Sequence, residues 1–201
     1  MRVAICIMVI GIFSIGCATA QSEADLSIGL GYSKTYENFS PVVNADTRAL
    51  DSVCFVDKGY KFKDRNTTGL YFSDSVQFPY LVNGAAPSPA AGLNVDLVFG
   101  ACNRYPMNDR LSGYVALGPH FQYMSGDGAD TDAYYKNFRV NFGLAGEVSL
   151  KIVAAQAFAF RIGTDLTYDF VVYSSSAAQL LFDQTYSTYS AEPFCALEFG
   201  L

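Results

Sequence analysis

Apolar and polar residues alternate along most of the chain beyond its first twenty residues. In "ADLSIGLGYSKTY", Leu26, Ile28, Leu30 and Tyr32 lie on one face of an extended strand, with small or polar residues on the other. Alternation with period two is typical of a β-strand that has one apolar face. We find no helical period of useful length. The pattern therefore predicts an all-β protein.

Seven later segments show the same alternation, the first of them least regularly. They are "RALDSVCFVDKGYKF", "GLYFSDSVQFPYLV", "GLNVDLVFGAC", "LSGYVALGPHFQYM", "NFRVNFGLAGEVSLKI", "QAFAFRIGTDLTYDFVVY" and "AEPFCALEFGL". Short connections such as "KDRN", "NRYPMNDR" and "VAA" alternate with longer ones such as "NGAAPSPAA" and "SGDGADTDAY". This arrangement predicts an eight-stranded antiparallel up-and-down transmembrane β-barrel, with both termini at the end of the short turns.

A second question is which of the two alternating faces lies inside the barrel. A soluble barrel would bury its bulky apolar face, whereas a membrane barrel would turn that face towards lipid. The polar face is rich in glycine and alanine, which suit a narrow interior, and tyrosines lie near the apolar strand ends, where interfacial aromatic belts occur. We therefore expect the apolar face outside and the polar face inside. The small inward residues are Gly29, Gly31, Gly100, Gly118, Gly143, Ala145, Gly163 and Gly200.

Charged residues on the inward face need partners, because an unpaired buried ion is costly. If the "VAA" hairpin is centred on Ala154, Glu147 faces Arg161 and Arg139 faces Asp169, although neighbouring registers of the same parity remain open. We predict a packed polar network in the lumen rather than an open pore. Its core members are Arg139, Glu147, Arg161, Asp165 and Asp169, extended by Asp96, Lys151, Glu192 and Glu198.

The last segment is expected to be the eighth strand. We expect it to pair with "ADLSIGLGY" and close the barrel, which leaves no free sheet edge. Leu197, Phe199 and Leu201 then face lipid, together with Cys195, while Glu198 faces the lumen.

The first twenty residues have the features of a secretory signal peptide. Arg2 precedes the apolar run "VAICIMVIGIFSIG", and Ala18-Thr19-Ala20 forms a small-residue cleavage site. We predict a signal peptide at 1–20 and a barrel domain at 21–201. An alternative is a lipoprotein cleaved before Cys17.

Composition narrows the function classes further. The formal net charge is −6, and −7 without Arg2, so the chain lacks the basic surface that nucleic-acid binding needs. Hydrophobic residues make up 51% of the chain, yet no apolar run after the signal reaches the length of a membrane helix, about 20 residues.

The remaining cysteines, Cys54, Cys102 and Cys195, have no metal-site spacing. They allow one disulfide, or are three small strand residues.

The signal peptide, the eight segments and a final strand entered by "EPF" and ending in Phe199-Gly200-Leu201 resemble small outer-membrane barrels of the OmpW/OprG type. Abundant tyrosine, the lack of tryptophan and the odd cysteine number also resemble spirochaetal outer-membrane proteins. The resemblance implies an outer-membrane location, with loops extracellular and termini periplasmic. It also implies a final strand that the barrel-insertion machinery recognises.

The same resemblance implies a conduit for small hydrophobic molecules that leave sideways through the barrel wall. Pro79, Pro119 and Pro193 are candidates for a lateral opening, because proline removes a ladder hydrogen bond. The alternative is that each proline marks a bulge or a strand end.

We find no sequence motif for catalysis, a cofactor or a metal, and we expect a protein that is not an enzyme. His120, the single histidine, lies on the polar face and is expected to be a hydrogen-bonded interior side chain. "SGDGADTD" has the composition of a calcium loop but lacks the spacing and terminal Glu of an EF-hand.

Two functions therefore remain open. The first is the conduit, with outer-membrane lipid and small hydrophobic solutes as partners. The second is a surface interaction protein whose loops bind host molecules while the barrel serves as an anchor. An open apolar passage would favour the conduit, whereas a lumen filled by Arg139, Glu147, Arg161 and Asp169 would favour the surface protein.

Overall fold

The structure is a computed structural model. It describes residues 22–38, 47–63, 67–86, 92–125, 138–155, 158–174, 179–181 and 187–200. The predicted signal peptide, residues 1–20, and Leu201 therefore lie outside the described residues. Within these ranges, no helix has the length and apolar character needed to cross a membrane.

The described residues form eight long strands and one short strand. The long strands are β1 (Ser22–Asn38), β2 (Thr47–Lys63), β3 (Thr68–Val82), β4 (Asn94–Asn108), β5 (Leu111–Ser125), β6 (Phe138–Ala155), β7 (Phe158–Ser174) and β9 (Ser187–Gly200). The short strand β8 (Gln179–Leu181) pairs only with the end of β7. It has three residues and lies within a connection, so the alternating pattern could not reveal it.

The long strands close into an eight-stranded antiparallel barrel. Each strand from β1 to β7 pairs with the next, β7 also pairs with β9, and β9 pairs with β1. At the closure, Asp25 lies opposite Gly200 and Leu26 opposite Phe199. The predicted fold and the pairing of the first and last segments are confirmed. The final strand is apolar on its outer face because it completes the barrel wall.

The two ends of the barrel differ in the length of their connections. Residues 64–67, 109–110 and 156–157 make the short connections at one end, which we call the turn end. Residues 39–46, 83–93, 126–137 and 175–186 connect the strands at the opposite end, which we call the loop end.

The bulky apolar side chains point outward. Leu30, Phe99 and Leu117 are more than half exposed, and Leu197 and Phe199 in the last strand are also exposed. Neighbouring residues in the same strands, such as Ser27 and Gln122, are fully buried inside. A wall of this kind is suited to contact with lipid rather than water.

Glycine is required where inner wall positions come close together. A Cβ atom on Gly100 would lie 2.1 Å from the Leu117 carbonyl oxygen, and one on Gly118 would lie 2.3 Å from the Phe99 carbonyl oxygen. Larger side chains at these two positions would force β4 and β5 apart. The glycines of the inward face therefore allow the strands of a narrow barrel to approach closely.

The predicted register of the β6–β7 hairpin is wrong. Glu147 lies opposite Asp165, and Lys151 lies opposite Arg161, so each partner is displaced four residues along β7. β6 ends at Ala155 and β7 begins at Phe158, so the hairpin is not centred on Ala154, and bulges interrupt both halves of the ladder. From Gly143 to Val153 the displacement is an even number of residues, so these side chains keep their predicted face although their opposite neighbours change. Beyond the bulge at Phe142 the displacement is five residues, and Arg139 lies opposite Ser174.

Candidate functional site

Arg161 lies at the centre of the polar interior near the turn end. Its guanidinium carbon is 3.9 Å from the centroid of the Tyr60 ring and 4.0 Å from that of Tyr114. Its Nε donates to Glu198 Oε2 at 2.6 Å, and its Nη1 donates to Ser149 Oγ at 2.9 Å. The side chain is fully buried. Hydrogen bonds and cation–π contacts thus replace the water that this cation would otherwise bind.

Lys58 reaches into the same region from the opposite wall. Its ammonium contacts Asp165 and lies 3.4 Å from Glu147 Oε2. It also donates to Ser73 Oγ at 3.1 Å and lies 4.2 Å from the centre of the Phe194 ring. We did not identify Lys58 from the sequence, because its strand has the weakest alternation. Lys58 lies two residues from both Val56 and Tyr60, and this spacing, which places all three on the inward face of β2, was the signal that the sequence offered.

Lys151 extends these contacts towards the turn end. Its Nζ lies 2.5 Å from Glu198 Oε1 and 3.0 Å from Asp25 Oδ1. Glu147 is additionally bound by the Tyr60 hydroxyl at 2.7 Å and lies 3.9 Å from Arg161 Nη1. Cations and carboxylates therefore alternate across the lumen. We call this group the turn-end network: Asp25, Lys58, Glu147, Lys151, Arg161, Asp165 and Glu198.

A second polar group lies nearer the loop end. His120 Nδ1 is 2.7 Å from Asp169 Oδ1, and His120 Nε2 is 3.7 Å from Asp96 Oδ1. Asp96 and Glu192 both accept from the side-chain amide of Gln77. We call this the loop-end network: Gln77, Asp96, His120, Asp169 and Glu192, with Ser75 beside them.

His120 and Asp169 have the geometry of an acid–base dyad, but the arrangement differs from a catalytic triad. A triad needs a nucleophile at the second ring nitrogen, and that nitrogen faces Asp96. His120 is 2% exposed, so substrate access is also poor. This arrangement matches the expectation of a hydrogen-bonded interior histidine.

Arg139 does not pair with Asp169 as the sequence suggested. Its Nη1 lies 3.1 Å from Glu37 Oε1, its Nη2 donates to Thr188, and its Nε donates to Asn141 Oδ1 at 2.7 Å. Glu37 was not recognised from the sequence because it lies at the end of the first strand. Arg139 thus fills the lumen on the loop-end side.

The three candidate prolines coincide with irregularities in the wall. The β1–β9 ladder is interrupted where Tyr32 and Ser33 lie across from Pro193 and Glu192, and the β4–β5 ladder is interrupted beside Pro119. Pro79 adjoins a bulge between β2 and β3. The β1–β9 register is the same on both sides of its interruption, and a Cβ atom on Gly31 would lie 3.1 Å from the Pro193 carbonyl oxygen. The strands therefore remain adjacent at Pro193.

The cysteines are free within the described chain. Cys54 and Cys102 are buried, and Cys195 is exposed on the outer wall. No group of three or more His, Cys, Asp or Glu side chains in the described ranges is arranged to hold a metal ion. The sequence "SGDGADTD" falls on residues 125–132, of which only Ser125 is described.

Comparison with known proteins finds similar structures but no matching family profile or curated sequence. No protein family profile matches the chain, and no curated protein matches it. Neisserial surface protein A, NspA, is 11% identical over 88% of this chain and 96% of its own, with a TM-score of 0.61.

The attachment invasion locus protein Ail of Yersinia pestis is similar as well. It is 15% identical over 90% of this chain and 100% of its own, with a TM-score of 0.51. Its complex with the heparin analogue sucrose octasulfate gives 14% identity, the same coverage and a TM-score of 0.53. At these identities the likeness concerns the fold alone. The chain therefore has the fold of the small eight-stranded outer-membrane β-barrels.

Proposed function

We propose that the protein acts at the cell surface through its long connections, with the barrel as its anchor in the outer membrane. In this proposal, the signal peptide at 1–20 directs export, the loop end faces outward and the termini lie in the periplasm. The observation that carries the proposal is the filled lumen. Arg139, Glu147, Arg161 and Asp169 are each at most 4% exposed.

The interior contacts oppose a passage along the barrel axis. Lys58 and Arg139 cross the lumen to carboxylates on strands that are not their neighbours, and Arg161 reaches the Tyr60 and Tyr114 rings of other strands. Removing one partner of a buried ion pair costs about 3–5 kcal/mol. A solute moving through the lumen would have to separate several such pairs at once. The barrel is therefore better suited to hold a fixed shape than to conduct.

The charge of the long connections indicates the class of partner. Residues 39–46, 83–93, 126–137 and 175–186 contain five aspartates and one lysine, a net charge of −4. Like charges repel, so we propose a basic or uncharged partner surface rather than a sulfated polyanion of the kind bound by Ail. The charged residues are Asp46, Asp127, Asp130, Asp132, Lys136 and Asp183.

A second candidate is the lateral conduit of the OmpW/OprG type for small hydrophobic molecules. One observation favours it, namely the interrupted β1–β9 ladder at Pro193. Proline offers no N–H to a neighbouring strand, and the pairing of β1 with β9 is missing at Pro193. A conduit would require this β1–β9 seam to separate while the axial network stays in place.

Reconstitution into liposomes separates the two candidates. The refolded barrel is compared with empty vesicles for uptake of a small hydrophobic and a small hydrophilic fluorescent solute. The anchor proposal expects neither solute to enter faster than it enters empty vesicles. Uptake of the hydrophobic solute that changes in a Pro193→Ala variant would establish the conduit instead.

Adherence of the same proteoliposomes tests the proposed partner chemistry. Neutral-lipid vesicles carrying the barrel are applied to surfaces coated with a basic protein, lysozyme, or with heparin. We expect retention on lysozyme, no retention on heparin, and loss of retention when Asp127, Asp130 and Asp132 are replaced by Asn. Binding to heparin with indifference to those replacements would contradict the proposal.

A further inference from the structure

Asp96 and Glu192 form an unusual pair of carboxylates in the loop-end network. Asp96 lies on β4 and Glu192 on β9, and they meet across the lumen. Their side chains share two donors: the Gln77 amide, which is 3.0 Å from Glu192 Oε2, and the Ser75 hydroxyl, which is 3.4 Å from Asp96 Oδ2 and 3.3 Å from Glu192 Oε2. Asp96 is 6% exposed and Glu192 is 4% exposed.

This pair lacks the lysine and arginine contacts that the carboxylates of the turn-end network have. Glu198 contacts both Arg161 and Lys151, and Glu147 lies close to both Lys58 and Arg161. Among the described residues, no lysine or arginine nitrogen lies within 4.0 Å of Asp96 or Glu192.

The candidate cation beside Asp96 is His120, which is already engaged. Asp169 holds its Nδ1 at 2.7 Å, whereas its Nε2 is 3.7 Å from Asp96 Oδ1, beyond hydrogen-bond distance. When both are ionised, the two carboxylates therefore carry two formal negative charges with no cation of the described chain in hydrogen-bond contact.

Three oxygen atoms of this group also lack hydrogen-bond donors in the described chain. They are Asp96 Oδ1, Glu192 Oε1 and Gln77 Oε1, and Gln77 is fully buried. Leaving a buried acceptor unsatisfied costs about 1–3 kcal/mol, and more when the acceptor is charged. Two carboxylates without a cation in contact and three unsatisfied oxygen acceptors therefore belong to the same group of side chains, which is the condition that a bound cation would relieve.

We propose that Asp96, Glu192, Gln77 and Ser75 bind a divalent cation of the calcium class inside the barrel. Hard divalent cations prefer oxygen ligands, and Ca²⁺ accepts carboxylate, amide and hydroxyl oxygens with water in flexible geometry. Two carboxylates match the charge of one such ion. The site depends on amide and hydroxyl oxygens as well as carboxylates.

Gln77 has a defined role in this proposal. Its Nε2 now donates to both carboxylates, which partly offsets their repulsion. The oxygen and nitrogen of a side-chain amide exchange places when the group turns over. With the ion bound, the amide turns so that its oxygen joins the ligands. Gln77 thus stabilises the pair in either state. The proposal is independent of whether the protein adheres or conducts.

Calorimetric titration of the refolded, chelator-treated barrel with CaCl₂ in detergent micelles tests the site directly. We expect binding of one Ca²⁺ per barrel, with MgCl₂ weaker and NaCl without effect. In parallel, Ca²⁺ is expected to raise the urea midpoint of unfolding, because a ligand that binds only the folded state stabilises it. No heat of binding and no change in midpoint would overturn the proposal.

Isosteric variants locate the site. Asp96→Asn and Glu192→Gln should each abolish the Ca²⁺-dependent rise in the midpoint, whereas Asp25→Asn, a lumen carboxylate paired with Lys151, should retain it. If Asp96→Asn does not fold, Gln77→Leu serves instead and should weaken Ca²⁺ binding at least about tenfold. An equal Ca²⁺ response in all variants would show that the ion binds elsewhere and would refute the assignment.

Discussion

Arg161 and Glu198 form a buried ion pair between neighbouring strands β7 and β9, with Arg161 Nε donating to Glu198 Oε2 at 2.6 Å. The guanidinium packs against both the Tyr60 and Tyr114 rings, which contact each other edge to face, and Lys151 also contacts Glu198. This pair links the barrel wall to the aromatic filling of the turn end. It is therefore the contact whose loss should affect the whole lumen most.

We expect Arg161→Met to lower the free energy of unfolding by about 3–5 kcal/mol, because Glu198 and Glu147 then lose a buried cation. Urea unfolding in detergent or lipid vesicles measures the change. The double variant Arg161→Met/Glu198→Gln should recover part of the lost stability, because it also removes the Glu198 charge that Arg161 balances. Arg110→Ala, at an exposed turn position, is the control and should change stability by less than about 0.5 kcal/mol.

Gly100→Val should prevent folding of the barrel. Its Cβ would collide with the Leu117 carbonyl oxygen, and the backbone of the neighbouring strand cannot move aside as a flexible side chain can. Gly59→Ala is the matched control, because nothing lies within 4 Å of the added Cβ atom. Heat-modifiable migration on gels reports folding of both variants. A folded Gly100→Val barrel would show that β4 and β5 do not approach as closely as described.

The sequence was sufficient to predict the features that depend on period two. Leu30 and Phe99 face outward and Ser27 faces inward because adjacent residues of a strand point to opposite faces. Closure by the last segment followed from the even number of strands and the need to leave no free edge. The fold and the inward or outward direction of the side chains could therefore be predicted without knowing the register of the strands.

Register and partners across the lumen could not be predicted in the same way. Shifting β7 by four residues leaves Arg161 inside but replaces its predicted opposite neighbour Glu147 by Lys151. Lys58 and Asp165 lie 107 residues apart in sequence and meet only because the closed barrel brings their strands together. Such contacts depend on strand tilt and barrel width, which local alternation does not encode.

Thiol labelling should distinguish the three cysteines. Cys195 is exposed on the outer wall, whereas Cys54 and Cys102 are at most 1% exposed inside the barrel. In detergent micelles, we expect N-ethylmaleimide to modify one thiol in the folded chain 21–201 and three after unfolding, as counted by mass spectrometry. Cys195→Ser should abolish labelling of the folded form. Reaction of Cys54 at a rate similar to that of Cys195 would contradict the inward position of Cys54 on β2.

Asp57 and Asp74 are an exception to the apolar outer wall. They lie directly opposite each other on β2 and β3, on the face that carries Phe55 and Phe78, and each is 6% exposed. Like charges at facing positions of a sheet destabilise it by about 0.2–1 kcal/mol. Removing one of them should therefore stabilise the barrel, even though most substitutions are destabilising.

We accordingly expect Asp74→Asn to raise the free energy of unfolding by about 0.2–1 kcal/mol, measured by urea unfolding in lipid vesicles. Asp51→Asn is the matched control on the same outer face. Asp51 accepts from the Tyr32 hydroxyl and lies 3.6 Å from Lys34 Nζ, so its replacement removes favourable contacts and should not stabilise the barrel. An equal rise in the free energy of unfolding in both variants would mean that any loss of charge from the outer wall stabilises the barrel. The Asp57–Asp74 repulsion would then not be the cause of the stabilisation.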